Sequence, residues 1–361
     1  MASPFLFVLF KALLVQSWLG VLFRRHDRRP WLYALVVADL LWMAWVLHRM
    51  RGGMHMTLRQ PALFLWMLVH LALGASAAVE TLARWLPWPR AIRWVGGSLV
   101  ALGVTFTTWG LAEAYGPPVR REVTLAFPDL PPAFDGYRIL LISDLHAGPY
   151  AGSRTLRQWG RAVQATEADL VVGAGDFISY WPVEAEALRA PFQGVAPPDG
   201  KVGVLGNHDR YRTSTEVSRR LEAQGWIMLD DEGLTLTRGA DRLNLLGMAH
   251  PEEDAPTSAP SWKVPPPTSG FTVGIVHSPV YWHHLRRAGA RLTLAGHTHG
   301  GQINLDPFLN VARINVGYVT GAYTEGRDQL YVTAGLGCTA LPFRFRCRPE
   351  LVRITLRRGQ G

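Results

Sequence analysis

The chain has 361 residues, a formal net charge of +9 and two cysteines, and its composition splits near residue 120 into two unlike parts. That length holds a full catalytic domain plus something else. The charge does not carry a nucleic-acid reading, because much of it is arginine in short connections between apolar stretches. Cys338 and Cys347 have no CxxC spacing and read as two unremarkable thiols.

Four apolar stretches come first: Phe5–Phe23, Trp31–Leu47, Ala62–Val79 and Ala91–Tyr115. Each is near the ~20 residues a helix needs to cross a bilayer. The first lacks a basic leader and a small-residue cleavage site, so it reads as a retained helix rather than a signal peptide. Nine of the 14 tryptophans precede residue 120, several near expected helix ends, where an indole settles at the headgroup level. Residues 1–120 are therefore expected to form an all-α transmembrane region of four helices. Lys11 and Asp39 are expected to pair inside it. Seven arginines follow the first and third stretches and five lie on the opposite side. That balance favours an integral membrane protein, in contact with lipids, whose domain after residue 120 is extracytoplasmic.

Residues 121–361 read as a soluble domain. Arg138–Ser143 is a short β-branched run consistent with a buried strand, and Asp144-Leu145-His146 follows it at once. Ser153 is placed to cap a helix over Thr155–Glu167. Asp169–Gly173 then reads as a second strand running into Gly175-Asp176, and Lys201–Leu205 as a third running into Gly206-Asn207-His208-Asp209. A hairpin is expected around Gly239, between Leu234–Thr237 and Leu243–Leu246. His250–Gly270 holds six prolines and reads as an irregular surface loop, with a lid as the alternative. Phe271–Val276 leads into His277, and Arg291–Ala295 into Gly296-His297-Thr298-His299. Five strand ends deliver five sets of metal-ligand residue types, which is how α/β sheets place a site beyond their strand ends. The element order suggests two mixed sheets packed together with helices outside.

Carboxylates, one amide and imidazoles form a mixed nitrogen and oxygen donor set. It suits Mn, Fe or Zn, whereas calcium takes oxygen alone and structural zinc is rich in thiolate. Seven such donors fill two divalent sites if one carboxylate bridges them.

The ordered blocks D-x-H, G-D, G-N-H-[DE], H and G-H-x-H resemble those of the calcineurin-like metallophosphoesterase superfamily. Ser143–His146 and Ala295–Gln302 are similar to the blocks of a bacterial membrane-anchored phosphodiesterase subgroup. The resemblance covers about residues 122–357 and implies a four-layer α/β/β/α sandwich. It implies that Asp144, His146 and His299 hold one metal ion, that Asn207, His277 and His297 hold the second, and that Asp176 bridges. It gives His208 the role of stabilising phosphoryl oxygens or protonating the departing alkoxide, with Asp209 orienting its ring. The implied activity is a two-metal hydroxide mechanism on phosphodiesters or pyrophosphates, with no covalent phosphoenzyme. The subgroup includes enzymes that cleave UDP-2,3-diacylglucosamine, so a lipid-linked substrate is expected. The same site would serve a phosphomonoesterase or protein phosphatase, and a non-catalytic metal-binding scaffold is the alternative from another class.

Outside these blocks, His283 and His284 read as surface or packing residues, His250 as part of the solvated loop with a role behind the ligands or toward substrate as the alternative, and Ser143 as a structural hydroxyl. Arg344, Arg346 and Arg348 alternate, so they read as one solvated strand face, with a contact to anionic lipid or substrate phosphate as the alternative.

Overall fold

The computed structural model describes residues 89–251, 269–304, 316–339 and 341–359. The first three apolar stretches, the Lys11–Asp39 pair and most of the proline-rich loop lie outside the described residues. Where the fourth stretch was expected there is a 27-residue helix, α1 (Pro89–Tyr115). Three of its threonines, Thr105, Thr107 and Thr108, donate their hydroxyls to the carbonyls one turn back. Among the described residues no helix is long and apolar enough to cross a membrane. The chain divides into compact units of residues 1–109 and 110–361, and the second carries the motifs.

That unit contains two six-stranded sheets. The first runs in the order β1 (Val119–Phe127), β12 (Glu350–Arg358), β2 (Arg138–Ile142), β3 (Leu170–Ala174), β4 (Lys201–Val204) and β5 (Trp226–Met228). From β2 to β5 the strands are parallel; β12 is antiparallel to β2 and parallel to β1. The second sheet runs β10 (Gly321–Glu325), β11 (Asp328–Val332), β9 (Leu292–Ala295), β8 (Phe271–Val276), β7 (Asp241–Met248) and β6 (Gly233–Arg238). The four inner strands are parallel, with antiparallel β10 and β6 at the edges. The expected hairpin is β6–β7, whose Arg238↔Asp241 pairing leaves Gly239 and Ala240 as its turn. Gly239 sits at φ 64°, a conformation a two-residue hairpin turn demands.

Alternation along the buried strands sets the layers. Ile139 and Leu141 of β2 face Val273, Ile275, Leu292 and Leu294 of the other sheet in one continuous core. The intervening Leu140 and Ile142 face outward onto Leu156, Trp159 and Val163 of α2 (Ser153–Gln164), and the same cluster takes in Phe192 of the short α3 (Arg189–Phe192) and Leu221 of α4 (Ser214–Glu222). Val276 and Ala295 of the second sheet pack on Trp282 and Leu285 of α5 (Trp282–Arg287). The result is helices, sheet, sheet, helix, as the sequence led one to expect. One boundary differs. Gly152 occupies the cap position of α2 and Ser153 is already helical, so no side chain caps that end.

Because β2, β3 and β4 run parallel in register, their carboxyl ends at Ile142, Ala174 and Val204 line up on one edge. The ends of β8 and β9 line up likewise in the facing sheet. The motifs issue from these ends.

Candidate metal centre

The chain leaves each strand by a sharp turn. Asp144, His146, Asp176, His297 and His299 all have positive φ, between 43° and 73°. Non-glycine residues in this region cost of order 1–3 kcal/mol each, and such strain persists where the surroundings over-determine it. Here the surroundings are backbone pairs between the turns: Asp144 donates its N–H to Gly175, His146 to Asp176, and Gly296 to His277. Close approach also demands glycine at 175. A Cβ there would lie 2.6 Å from Nδ1 of His277.

These turns bring the expected ligands together in two clusters. In one, Asp144, His146 and His299 each offer a ligand atom within 4.8 Å of the others. Nε2 of His146 is 3.1 Å from Nε2 of His299, which is 3.4 Å from Oδ1 of Asp144. In the other, Nε2 of His277 is 3.1 Å from Oδ1 of Asn207, 3.1 Å from Nδ1 of His297 and 3.3 Å from Oδ2 of Asp176. The same Asp176 oxygen lies 3.5 Å from Nε2 of His146, so it stands between the clusters.

The chemistry of this donor set tests whether a metal fits. Nδ1 of His277 is 2.8 Å from the Ala174 carbonyl, which only accepts, so that nitrogen carries the ring proton. In the neutral ring Nε2 is then a lone pair aimed at a carboxylate oxygen, an amide oxygen and another imidazole nitrogen. Nδ1 of His299 faces the Gly337 carbonyl at 3.3 Å and Nη2 of Arg344 at 3.5 Å, which leaves Nε2 turned toward His146 and Asp144. Lone pairs so gathered repel one another unless a cation lies among them. Donors at about 2.1 Å from one ion are themselves separated by roughly 3.0–3.4 Å, which matches the spacings here.

Burial drives the pKa of His146 to about 3 and of His297 to about 4, and holds His299 well below its ordinary value. These rings are neutral, as ligands must be. Burial also opposes charge on His277, but Asp176 overcomes it and lifts that ring to about 9. Burial raises the Asp144 carboxyl to about 6, with His277 opposing. Asp176 pays the same burial cost, yet His277, His146 and His208 hold it well below the usual carboxylate range. Without an ion, the Asp176–His277 pair balances its own charge with a proton.

His208 stands at the side of the site. Its main-chain N–H donates to Asp176 at 2.9 Å, and its ring meets that of His146 edge-on at 4.5 Å. It also brings a ligand atom within 4.8 Å of those of His146 and Asp176. The residue fixing its ring is not the one expected. Nδ1 of His208 lies 2.7 Å from the Ser179 carbonyl, whereas Asp209 is buried and accepts main-chain N–H groups from Gly206, Ile178 and Phe177 at 2.9, 3.0 and 3.3 Å. A carboxylate saturated by three amides organises the two turns rather than the imidazole. Burial, with Asp176 nearby, raises its pKa to about 7.

Two residues stand elsewhere than their sequence context suggested, and a third carries no signal in the sequence. Arg344 is not on a solvated face; it is fully buried, its guanidinium donating to the carbonyls of Ala334, Gly337 and Cys347 beside His299. His250 leaves the solvated loop and sits with its ring centroid 5.7 Å from that of His277 and 6.0 Å from that of His297. Glu184, also buried, accepts the main-chain N–H groups of Ser179, Tyr180 and Trp181. None has a motif, because each acts through main-chain groups or ring contacts that no spacing encodes. Ser143 is a structural hydroxyl, donating to Ala174 at 2.9 Å. Both cysteines are buried free thiols.

Residues 137–301, which span both clusters, match the calcineurin-like phosphoesterase family. The chain is also 30% identical over 247 residues to the metallophosphoesterase YkuE of Bacillus subtilis, covering 65% of this chain and 84% of that one. The chain belongs to the calcineurin-like phosphoesterase family. As a member it is a hydrolase acting on phosphoester bonds, and the family's divalent-metal chemistry agrees with the donor set. A phosphodiesterase of Escherichia coli, YaeI, is 25% identical over 231 residues, which is 61% of this chain and 82% of its own. A transmembrane protein with metallophosphoesterase domain from Danio rerio is 26% identical over 290 residues, but the chain spans only 63% of it.

Proposed function

We propose that this phosphoesterase hydrolyses phosphodiester or pyrophosphate bonds with two divalent ions, one held by Asp144, His146 and His299, the other by Asn207, His277 and His297, and both by Asp176. The observation that carries the reading is the position of Asp176 Oδ2, 3.5 and 3.3 Å from the ring nitrogens of His146 and His277. When bound, such a pair of ions activates water at neutral pH and neutralises charge on the oxygens around phosphorus.

The side chains do the rest. Nδ1 of His208 is committed to the Ser179 carbonyl, so Nε2 is the atom that holds or delivers a proton, 3.3 Å from the Tyr211 hydroxyl and 3.5 Å from that of Thr339. It is placed to protonate the departing alkoxide, the step at which a positioned acid contributes ~10²–10⁴ in rate. The name of the E. coli relative supports a diester. The first three apolar stretches, and the name of the Danio rerio relative, support anchoring at a membrane, on its outer side by the arginine balance. On that reading a lipid-linked pyrophosphate such as UDP-2,3-diacylglucosamine is the physiological substrate class.

Initial rates on paired aryl phosphate diester and monoester substrates test this, with detergent-purified full chain, added Mn²⁺ and a His208→Ala control. Diester turnover should exceed monoester turnover, vanish with chelator and fall ~10²–10⁴-fold in the variant. Monoester preference would favour the phosphomonoesterase reading. Turnover of neither would return the chain to a metal-binding scaffold.

A further inference from the structure

Two short segments bracket His208 with exposed rings. Outside α1, the large hydrophobic side chains that stand exposed among the described residues are Tyr180, Trp181, Val183, Tyr211, Ile227 and Val280. Four of these six lie in the turn after β3 or immediately after the His208 turn. Exposed apolar side chains scattered singly need no explanation, whereas a cluster at the mouth of a catalytic site does.

The geometry is specific. The Tyr211 ring centroid is 4.6 Å from that of His208, and the Tyr180 centroid is 6.0 Å from it. Tyr180 and Tyr211 are nearly parallel, 21° apart, with centroids separated by 6.5 Å. Next to them the Arg212 guanidinium lies 4.2 Å over the Trp181 ring, putting a positive charge beside the aromatic surface. The platform is held from beneath. Glu184 fixes the main chain of residues 179–181, and the Ser179 carbonyl joins the same turn to the His208 ring.

We propose that Tyr180, Trp181 and Tyr211, with Arg212, form a subsite for a planar aromatic group carried on the phosphoryl substrate, on the side of the group that departs past His208. Three flat rings against a single branched aliphatic, Val183, favour a flat ligand, and the guanidinium favours an anionic one. The chemistry fits a nucleobase or a phenolic ring. Placing it on the departing side rests on the catalytic role proposed for His208; the aromatic platform itself does not.

The test uses 2-aminopurine riboside 5′-monophosphate, whose fluorescence is quenched when the base stacks. It is titrated into the full chain in detergent, with phenyl phosphate, AMP, ribose 5-phosphate and octyl phosphate as competitors. Saturable quenching is expected, reversed by AMP and phenyl phosphate at far lower concentrations than by ribose 5-phosphate or octyl phosphate. AMP outcompeting phenyl phosphate would identify a nucleobase as the source, and parity would identify any aryl ring. Tyr180→Ala and Trp181→Ala should each weaken binding at least about fivefold, the low end of what losing one stacking face costs. Tyr180→Phe should restore it. Absence of quenching, octyl phosphate competing as well as phenyl phosphate, or both alanine variants binding normally would overturn the subsite. Turnover of bis(4-nitrophenyl) phosphate is measured on the same preparation. Quenching without turnover defeats the catalytic reading and leaves the platform; turnover without quenching does the reverse.

Discussion

His277 carries the largest electrostatic conflict in the site. Its ring is fully buried, yet Asp176 lifts its pKa to about 9. Below that pH the metal-free ring holds a proton on Nε2, the atom that must bind an ion. Metal entry therefore has to expel it. At pH 7.5 Mn²⁺ binding should release the His277 proton, a contribution that falls toward none as pH rises through about 9, where the ring is already neutral. His146, His297 and His299 are depressed far below neutrality and should add nothing. Calorimetry in two buffers of different ionisation enthalpy reads this directly, and a buffer-independent heat at pH 7.5 would refute it. His208 makes the opposite prediction. His208→Ala should lower kcat ~10²–10⁴-fold while bound metal, read by elemental analysis, stays unchanged. Loss of metal in that variant would make His208 a ligand. At this scale the sequence showed which residues converge but not what holds them. The family resemblance implied that Asp209 orients the His208 ring; the fold turns its carboxylate onto three amides instead. Arg344 alternates with other arginines as a surface strand would, and only the carbonyls gathered around it reveal why it can be buried.

At the scale of elements, the buried strands were legible because short β-branched runs end in ligand motifs, and parallel register aligns those ends. The turns were not. Residues 178–184 illustrate why: the Ser179 carbonyl holds His208, the Ser179 hydroxyl donates to the His146 carbonyl at 2.9 Å, and one Glu184 oxygen accepts three successive amides. A single buried carboxylate thus fixes the loop that holds the His208 ring. Glu184→Gln keeps the shape and removes the charge, and hydrogen bonds to charged groups are worth about 1.5–3 kcal/mol. The variant should lose about that much stability in denaturant unfolding and lower kcat, with KM for a small aryl diester little changed. Normal kcat would mean the turn holds without the charge. The proline-rich loop could not be read finely either, yet His250 at its start packs against His277 and His297.

Across the whole catalytic unit, the site joins two layers that meet through a continuous apolar core and, toward its margins, through polar contacts such as Arg238–Asp199 and Arg291–Asp129. Asp144, His146, Asp176 and Asn207 issue from the first sheet, and His277, His297 and His299 from the second. No single sheet completes either cluster: His299 closes the one built on Asp144 and His146, and Asn207 closes the one built on His277 and His297. Ions held there, as proposed above, would cross-link the sheets and stabilise the folded state over the unfolded one. At 100-fold excess over Kd a single ion contributes about 2.7 kcal/mol, and each kcal/mol moves the Tm of a domain this size by about 2–4 °C. Mn²⁺ should therefore raise the Tm of chelator-treated protein by at least about 5 °C. A shift alone would follow from any tight site. The cross-link makes a sharper claim: amide exchange should slow together in the turns after β2, β3 and β4 and in those after β8 and β9. Protection confined to the turns of one sheet would mean that the ions do not bridge the layers, and the seven-residue assignment would have to be divided differently.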